Sequence, residues 1–509
     1  MPASSLTRIF GARLDAKAVI GFAIAAALGV LLAAFPIAGL AGMAAVLIPL
    51  GIMRWCKGRL EAEAWQILVL VSMTLFIVLN YGFDSFILSL GGMHILVGES
   101  LMFAALGLVL LGRHRSLLFS ALHEPPVICL LALLILALIH LAIDVPRDGL
   151  FAIRDSAKYI EMVFLGLGYL WGSQKRYTPL LLKWLLFLYV LNLAYSSTFP
   201  WAEQLLSWSP KAGMFHPIAV LGQYEDNALY LLTGAMFCAW IASSVVRWPR
   251  WVLISLSAAQ LCGLAILQAR SMYVGLVLVL VILFFLRETS KIIQFASVLP
   301  WAAGALLTLV LVTSALGIQL HGRVGPVNLA FLEEHAQTVF ALGNERVRMG
   351  ADTDRERWYS DIWERESSSP ARLIFGEGFG KPLVDLQNEE GIPVREPHNS
   401  TLSVFARLGM LGLVIWLLFI FLVIRRFVYV IRRRLQSDEM VFRLTLFLFS
   451  YFVLAMVVAI VQPALEFSHS DLPFLFLLGV ALGMMRWQAE EVRRSSSPVI
   501  CRPFVSRVT

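Results

Sequence analysis

Cysteine is scarce in this chain, five residues in 509. Cys56, Cys129, Cys238, Cys262 and Cys501 fall in apolar runs or short basic loops, and none lies in the one long polar segment. That pattern excludes a disulfide framework and offers no metal-ligand spacing, so no metal or cofactor is expected. Charge is also sparse, at 15% of residues against 59% hydrophobic, and a mean hydropathy of +0.77 excludes a soluble globular protein. The formal charge of +7 does not mark a nucleic-acid binder, because the basic residues are scattered through short loops instead of lining one face. The apolar run after Lys17 has no clear small-residue cleavage site, so it is expected to remain as a first helix.

What the chain has in quantity is apolar sequence long enough to cross about 30 Å of hydrocarbon. Fourteen spans are expected, at 18–35, 37–53, 65–83, 97–112, 127–143, 157–173, 179–195, 227–245, 251–268, 272–286, 298–318, 400–424, 441–462 and 472–486. The stretches 37–53 and 84–96 also suit a re-entrant or interfacial segment. The fold class is therefore all-α, a polytopic membrane bundle. The loops support this count. One set carries 26 of the 41 Lys and Arg residues, whereas the short loops of the other set carry five: Arg147, Arg154, Lys158, Lys211 and Arg270. The positive-inside rule then puts both termini in the cytoplasm. Helices 1–11 occupy 1–320, a long outer loop 321–397, helices 12–14 residues 398–486, and a cytoplasmic tail 487–509. The long loop holds nine basic and fourteen acidic residues, a net charge of −5. It is too long for a plain connector, so function is expected there.

Two helices are expected inside this loop, one near 329–345 and one from Thr353 to about Glu366. The second opens on Thr353-Asp354-Arg355-Glu356, the capping box pattern. Arg355 then sits in a first helical turn, where free amides and the dipole favour an anionic phosphate. Arg357 has Asp361 four residues on as a possible ion-pair partner. Gly376-Glu377-Gly378-Phe379-Gly380 is neither a nucleotide loop nor a dinucleotide fingerprint, and reads as a turn packed near the membrane. His398 precedes Asn399-Ser400-Thr401, which can cap the next helix; the dipole there favours a neutral imidazole able to accept a proton. Gly409 and Gly412 read as close helix packing. Arg270 stands at an outer helix mouth, Arg154, Asp155 and Lys158 form a second outer cluster, and Arg407 is an ionisable residue inside a span.

His398-Asn399, nine further residues, then Gly409-Met410-Leu411-Gly412 resembles the motif of the O-antigen ligase/polymerase family of bacterial envelope glycosyltransferases, with Leu413 where the family has Gly, Thr or Tyr. An arginine at an outer helix mouth (Arg270), an Arg-led helix bearing an aromatic (Arg355, with Arg348 and Arg357 as alternatives), and the Gly376–Gly380 turn extend the likeness over about 270–413. The resemblance implies a lipid-dependent glycosyltransferase (GT-C-like) bundle in the inner membrane. Catalysis would be inverting and metal-independent, at the periplasmic face, on a donor glycan carried by undecaprenyl pyrophosphate. On that reading His398, Arg270 and Arg355 are catalytic. Arg348, Arg357, Asn399, Arg154 and Arg407 bind substrate, and Gly376, Gly378, Gly409 and Gly412 are structural. The acceptor is another lipid-linked glycan for a polymerase, or lipid A–core or a protein for a ligase, with chain-length and export machinery as further partners. The length, the span count and an Arg365-x10-Gly376 spacing favour the polymerase. A flippase is the remaining alternative, but the charges lie mostly at the outer mouth and no paired halves are found.

Overall fold

The computed structural model describes residues 63–90, 93–198, 206–212, 218–222, 227–315, 322, 327, 357–384, 386–387, 393–433, 438–462 and 464–496. The expected spans at 18–35 and 37–53, the expected helix at 329–345, and Arg348 and Arg355 lie outside the described residues.

Each of the twelve other expected spans coincides with helix. In chain order, α1 is Ala64–Leu79, α2 Val97–Leu111, α3 Pro125–Asp148, α4 Leu150–Glu161, α5 Leu165–Gly172, α6 Thr178–Ser196, α7 Asn227–Trp240, α8 Arg250–Leu267, α9 Arg270–Phe285 and α10 Leu299–Ala315. Beyond the polar segment come α11 at 357–367, α12 Pro370–Phe375, α13 Ser400–Arg433, α14 Glu439–Val461 and α15 Ser468–Ser496. Among the described residues seven helices are long and apolar enough to cross a membrane, and α1, α7 and α9 are shorter apolar helices. The stretch 84–96, which suits a re-entrant or interfacial segment by sequence, holds a hairpin in which Ile87–Leu90 pairs antiparallel with Met93–Leu96. The last helix runs past the expected boundary at 486, so the start of the expected tail continues α15.

The helices show why lipid is the required solvent. On α3, Leu130, Leu133 and Ala137 are buried, while Ile128, Leu131, Ile135, Leu138, Ile139 and Ile143 are exposed. A helix that is apolar on both faces has no favourable arrangement in water and an ordinary one in a bilayer. Inside the bundle, backbones approach closely at α5 and α15, each of which carries a Gly-x3-Gly. A Cβ on Gly168 or Gly172 would lie 2.0 Å from the carbonyl oxygen of Phe476 or Val480, and one on Gly479 would lie 2.2 Å from that of Leu165. Only hydrogen fits there, and the close contact supplies the dispersion that holds helices together where no hydrophobic effect operates.

Cross-links between loops sort the chain into two ends. At one, Glu63 accepts from Tyr177 (2.7 Å) and Arg113 (3.0 Å), Lys291 faces Glu439 (3.8 Å), and Arg486 donates to the carbonyl of Ser120 (2.9 Å). At the other, Asn80 donates to Asn227 (2.8 Å), Tyr195 to the carbonyl of Gly222 (2.7 Å), and the amide of Phe379 to Asp144 (2.8 Å). Gly322 abuts Gln268 and so brings the start of the long loop to this second end. The division follows the alternation read from the charges, with Arg270 and His398 at the same end of the bundle.

Gly172→Leu should destabilise the protein by at least about 1–3 kcal/mol, because the overpacked atom meets backbone. Gly107→Leu is the control, since a Cβ there meets nothing within 4 Å. Thermal unfolding of both variants in detergent distinguishes them.

Candidate active site

The site is built around a break in α13. Gly409 adopts φ 66° and ψ −166°, a conformation outside the helix, and the chain turns there before continuing. The carbonyls of Ala406 and Arg407 would ordinarily pair with the amides of Met410 and Leu411, which lie beyond the break. Instead they accept from the amides of Glu377 (2.8 Å) and Gly378 (3.1 Å). The glycine turn thus supplies partners to carbonyls that would cost several kcal/mol if left buried and unpaired. The two backbones touch: a Cβ on Gly376 would lie 2.5 Å from the amide nitrogen of Gly409, and one on Gly409 would lie 2.3 Å from the carbonyl oxygen of Ile374. Gly412 is constrained by its own helix, since its Cβ would meet Leu408 Cβ at 2.3 Å. The two glycines therefore do not mark a helix–helix seam as expected; they permit a broken helix and the docking of a turn on it.

Arg407 is placed by the same break, and it is not where a substrate ligand would be. Its side chain has no exposure. It donates to Glu396 (2.9 Å) and to the carbonyls of Gly378 (3.1 Å) and Lys381 (2.7 Å), with Asp155 of α4 at 3.1 Å. Arg395 forks onto the same Asp155 at 3.2 and 2.8 Å and donates to the carbonyl of Gly380 at 2.8 Å. The amide of Gly380 reaches Asp155 at 3.0 Å. Removing one partner of such a buried set costs about 3–5 kcal/mol, since the other charge is left unpaired. Substrate binding by Arg407 is accordingly replaced by a holding role. A neighbouring pair, Lys158 with Glu466, is also buried, and together they line a small cavity with Ser400, Asp471, Trp416 and Phe419.

The loop closes over this knot as a small core of its own. Ile362, Leu383, Val384, Phe405 and Ala406 are buried together, with Trp358, Leu373 and Leu402 against them. Arg365 of α11 pairs with Glu377 at 3.0 Å and donates to the carbonyl of Leu383 at 2.9 Å, so it ties the helix to the glycine turn. Trp358 stacks on the ring of His398, with centroids 5.6 Å apart and planes within 18°. His398 itself has φ +50°, the left-handed region, which costs a non-glycine residue about 1–2 kcal/mol. Asn399 caps α13 as expected, its Oδ1 accepting from the amide of Leu402 at 3.0 Å.

The remaining expected site residues divide. Arg270 is the first residue of α9 and is exposed, as is Arg154 on α4. Arg357 is exposed and lies 3.7 Å from Asp361, the ion pair anticipated from their spacing and a weak one. Asp144, Arg395, Glu377 and Glu396 went unnoticed in the sequence, since lone charges near apolar ends have no distinctive spacing. Asp352-Thr353-Asp354 is an Asp-x-Asp triplet, a spacing able to hold a divalent cation; it counts against a metal-free site and lies outside the described residues.

Glu366 at the end of α11 is fully buried, and burial, then the nearby Glu377, push its carboxyl up to about 7. The folded state therefore favours the protonated acid. Stability from this group is complete below the ordinary carboxylate range, is lost as pH rises from about 4.5 to about 7, and is level above that. Amide exchange over α11 and α12, corrected for intrinsic rate, should be slower at pH 5 than at pH 8, and Glu366→Gln should abolish the difference. Gly409→Ala should release the turn at a cost of about 1–3 kcal/mol or more, read as faster proteolysis between 376 and 398.

Comparison with known proteins bears on these elements directly. No curated protein matches the chain. A family model described as O-antigen ligase matches residues 253–417, from within α8 through Arg270, the glycine turn and His398 to beyond the break at Gly409. The likeness to the O-antigen ligase family read from the His398 motif is thereby supported over those residues, about a third of the chain.

Proposed function

We propose that the protein transfers a glycan from undecaprenyl pyrophosphate to a sugar hydroxyl at the periplasmic face of the bacterial inner membrane, with inversion at the anomeric carbon. The acceptor hydroxyl gives its proton to His398 as its oxygen bonds to the anomeric carbon. The bond from that carbon to the pyrophosphate oxygen breaks on the opposite face, and the electron pair leaves with the polyprenyl pyrophosphate. A positioned base of this kind is worth about 10²–10⁴-fold in rate. The leaving group gathers negative charge, and guanidinium forks hold phosphate oxygens bidentately without requiring a cation. Arg270 supplies one fork and an arginine of the 348–357 stretch the other. The observation that carries this reading is the placement of His398. It sits in a strained backbone conformation directly before the α13 cap, stacked on a helix that bears arginine, at the end of the bundle where Arg270 begins α9.

Repeat-unit polymerisation of a surface or secreted polysaccharide is the preferred reaction, with a second lipid-linked glycan as acceptor. The length of the outer loop favours it, as does the Arg365–Glu377 tie behind the Arg-x10-Gly spacing. Transfer to lipid A–core is the second reading, and the description of the matching family favours it.

Purified protein given a lipid-linked oligosaccharide should release undecaprenyl pyrophosphate, and His398→Ala should lower that rate by about 10²-fold or more. Arg270→Lys should also slow it, because lysine cannot fork. Full turnover by a folded His398→Ala protein would remove the proposed base. Chelator should leave the rate unchanged; loss restored by a divalent cation would transfer phosphate binding to Asp352 and Asp354.

A further inference from the structure

We propose that Glu396 is a positioning residue for His398 and that Arg407 is the clamp through which it acts. This rests on the reading of His398 as the base. A single residue, Pro397, separates Glu396 from His398; it fixes its own φ and biases Glu396 toward an extended conformation. With Glu396 anchored, the backbone at 398 has little freedom left, because so short a chain spans no more than about 7 Å.

Glu396 is anchored. Its carboxylate accepts from Arg407 at 2.9 Å, and Arg407 is itself held by Asp155 at 3.1 Å and by the carbonyls of Gly378 and Lys381. On the other side of His398, Asn399 caps α13, and Ser400 Oγ accepts from the amide of Leu465 at 3.2 Å. His398 is thus strung between two fixed points in a left-handed conformation that an untethered residue would abandon. Burial opposes ionisation of Glu396, but Arg407 and then Lys158 outweigh it and keep the carboxyl below its ordinary range. The clamp is therefore ionic wherever the enzyme works. It acts through the backbone, on where the imidazole stands when the acceptor hydroxyl arrives.

A positioning role predicts a particular kinetic signature. Misplacing a catalytic group by about 1 Å can cost on the order of 10²-fold, while binding of a donor held elsewhere is untouched. The test uses full-length protein in lipid nanodiscs with a lipid-linked oligosaccharide, comparing Glu396→Gln, Arg407→Lys, the double variant and His398→Ala. Glu396→Gln keeps the shape and a hydrogen bond but drops the charge. It should lower kcat about tenfold or more and leave KM for the donor within about twofold. The double variant should be no slower than the slower single one, since both cut one link. Full kcat in Glu396→Gln beside an inactive His398→Ala would overturn the inference. So would a loss of rate that only tracks the unfolded fraction seen in the melting curve. An active His398→Ala would instead overturn the reading of the base, a separable outcome. Glu396→Gln is the deciding variant if Arg407→Lys does not fold.

Discussion

A buried helix that breaks must find new partners for the carbonyls it frees, and this constraint organises the site. At Gly409 the partners are amides of a turn more than twenty residues earlier in sequence. The turn can reach them only if its own backbone lies against the broken helix, which is why glycine stands on both sides of the contact. The polar segment is pinned at this seam, and its other contacts follow. Arg365 ties α11 to the turn, the small core of Ile362 and Phe405 closes beneath it, and Trp358 comes to rest on His398.

The second constraint is electrostatic. Burying Arg407 is unfavourable unless its guanidinium meets carboxylates or carbonyls. Asp155, Glu396 and the turn carbonyls meet it, and Arg395 shares Asp155 from the other side. The arginines of the site region accordingly have two kinds of work. Arg365, Arg395 and Arg407 are committed to protein groups, whereas Arg154, Arg270 and Arg357 are exposed.

Polar chemistry extends below this knot into the bundle. Lys158 meets Glu466, Ser468 donates to Glu161 at 2.6 Å, and His469 lies 3.3 Å from Asp84. These pairs tie the start of α15 to α4 and to the turn after α1. The end of the bundle that carries His398 is therefore cross-linked by charge.

Much of the fold was legible because hydrocarbon thickness and backbone satisfaction leave helices as the natural solution for long apolar runs, and loop charge orders their ends. The hairpin within 84–96 was not legible, because a short apolar stretch does not distinguish strand from helix. His398, Asn399 and the glycine spacing stood out as a motif, but the role of the glycines did not. Gly409 and Gly412 look like a packing seam in one dimension, and only the fold brings Gly376 against the break. Arg407 is the clearest case: by sequence an intramembrane arginine is a suspect for binding substrate, and its neighbours in space come from residues 155, 378, 381 and 396. The sequence by itself determined that the chain lives in a bilayer, which loops share a side, and which histidine to watch. The tertiary structure alone decided which charges face each other, because burial and pairing depend on contacts between residues that chain spacing does not encode.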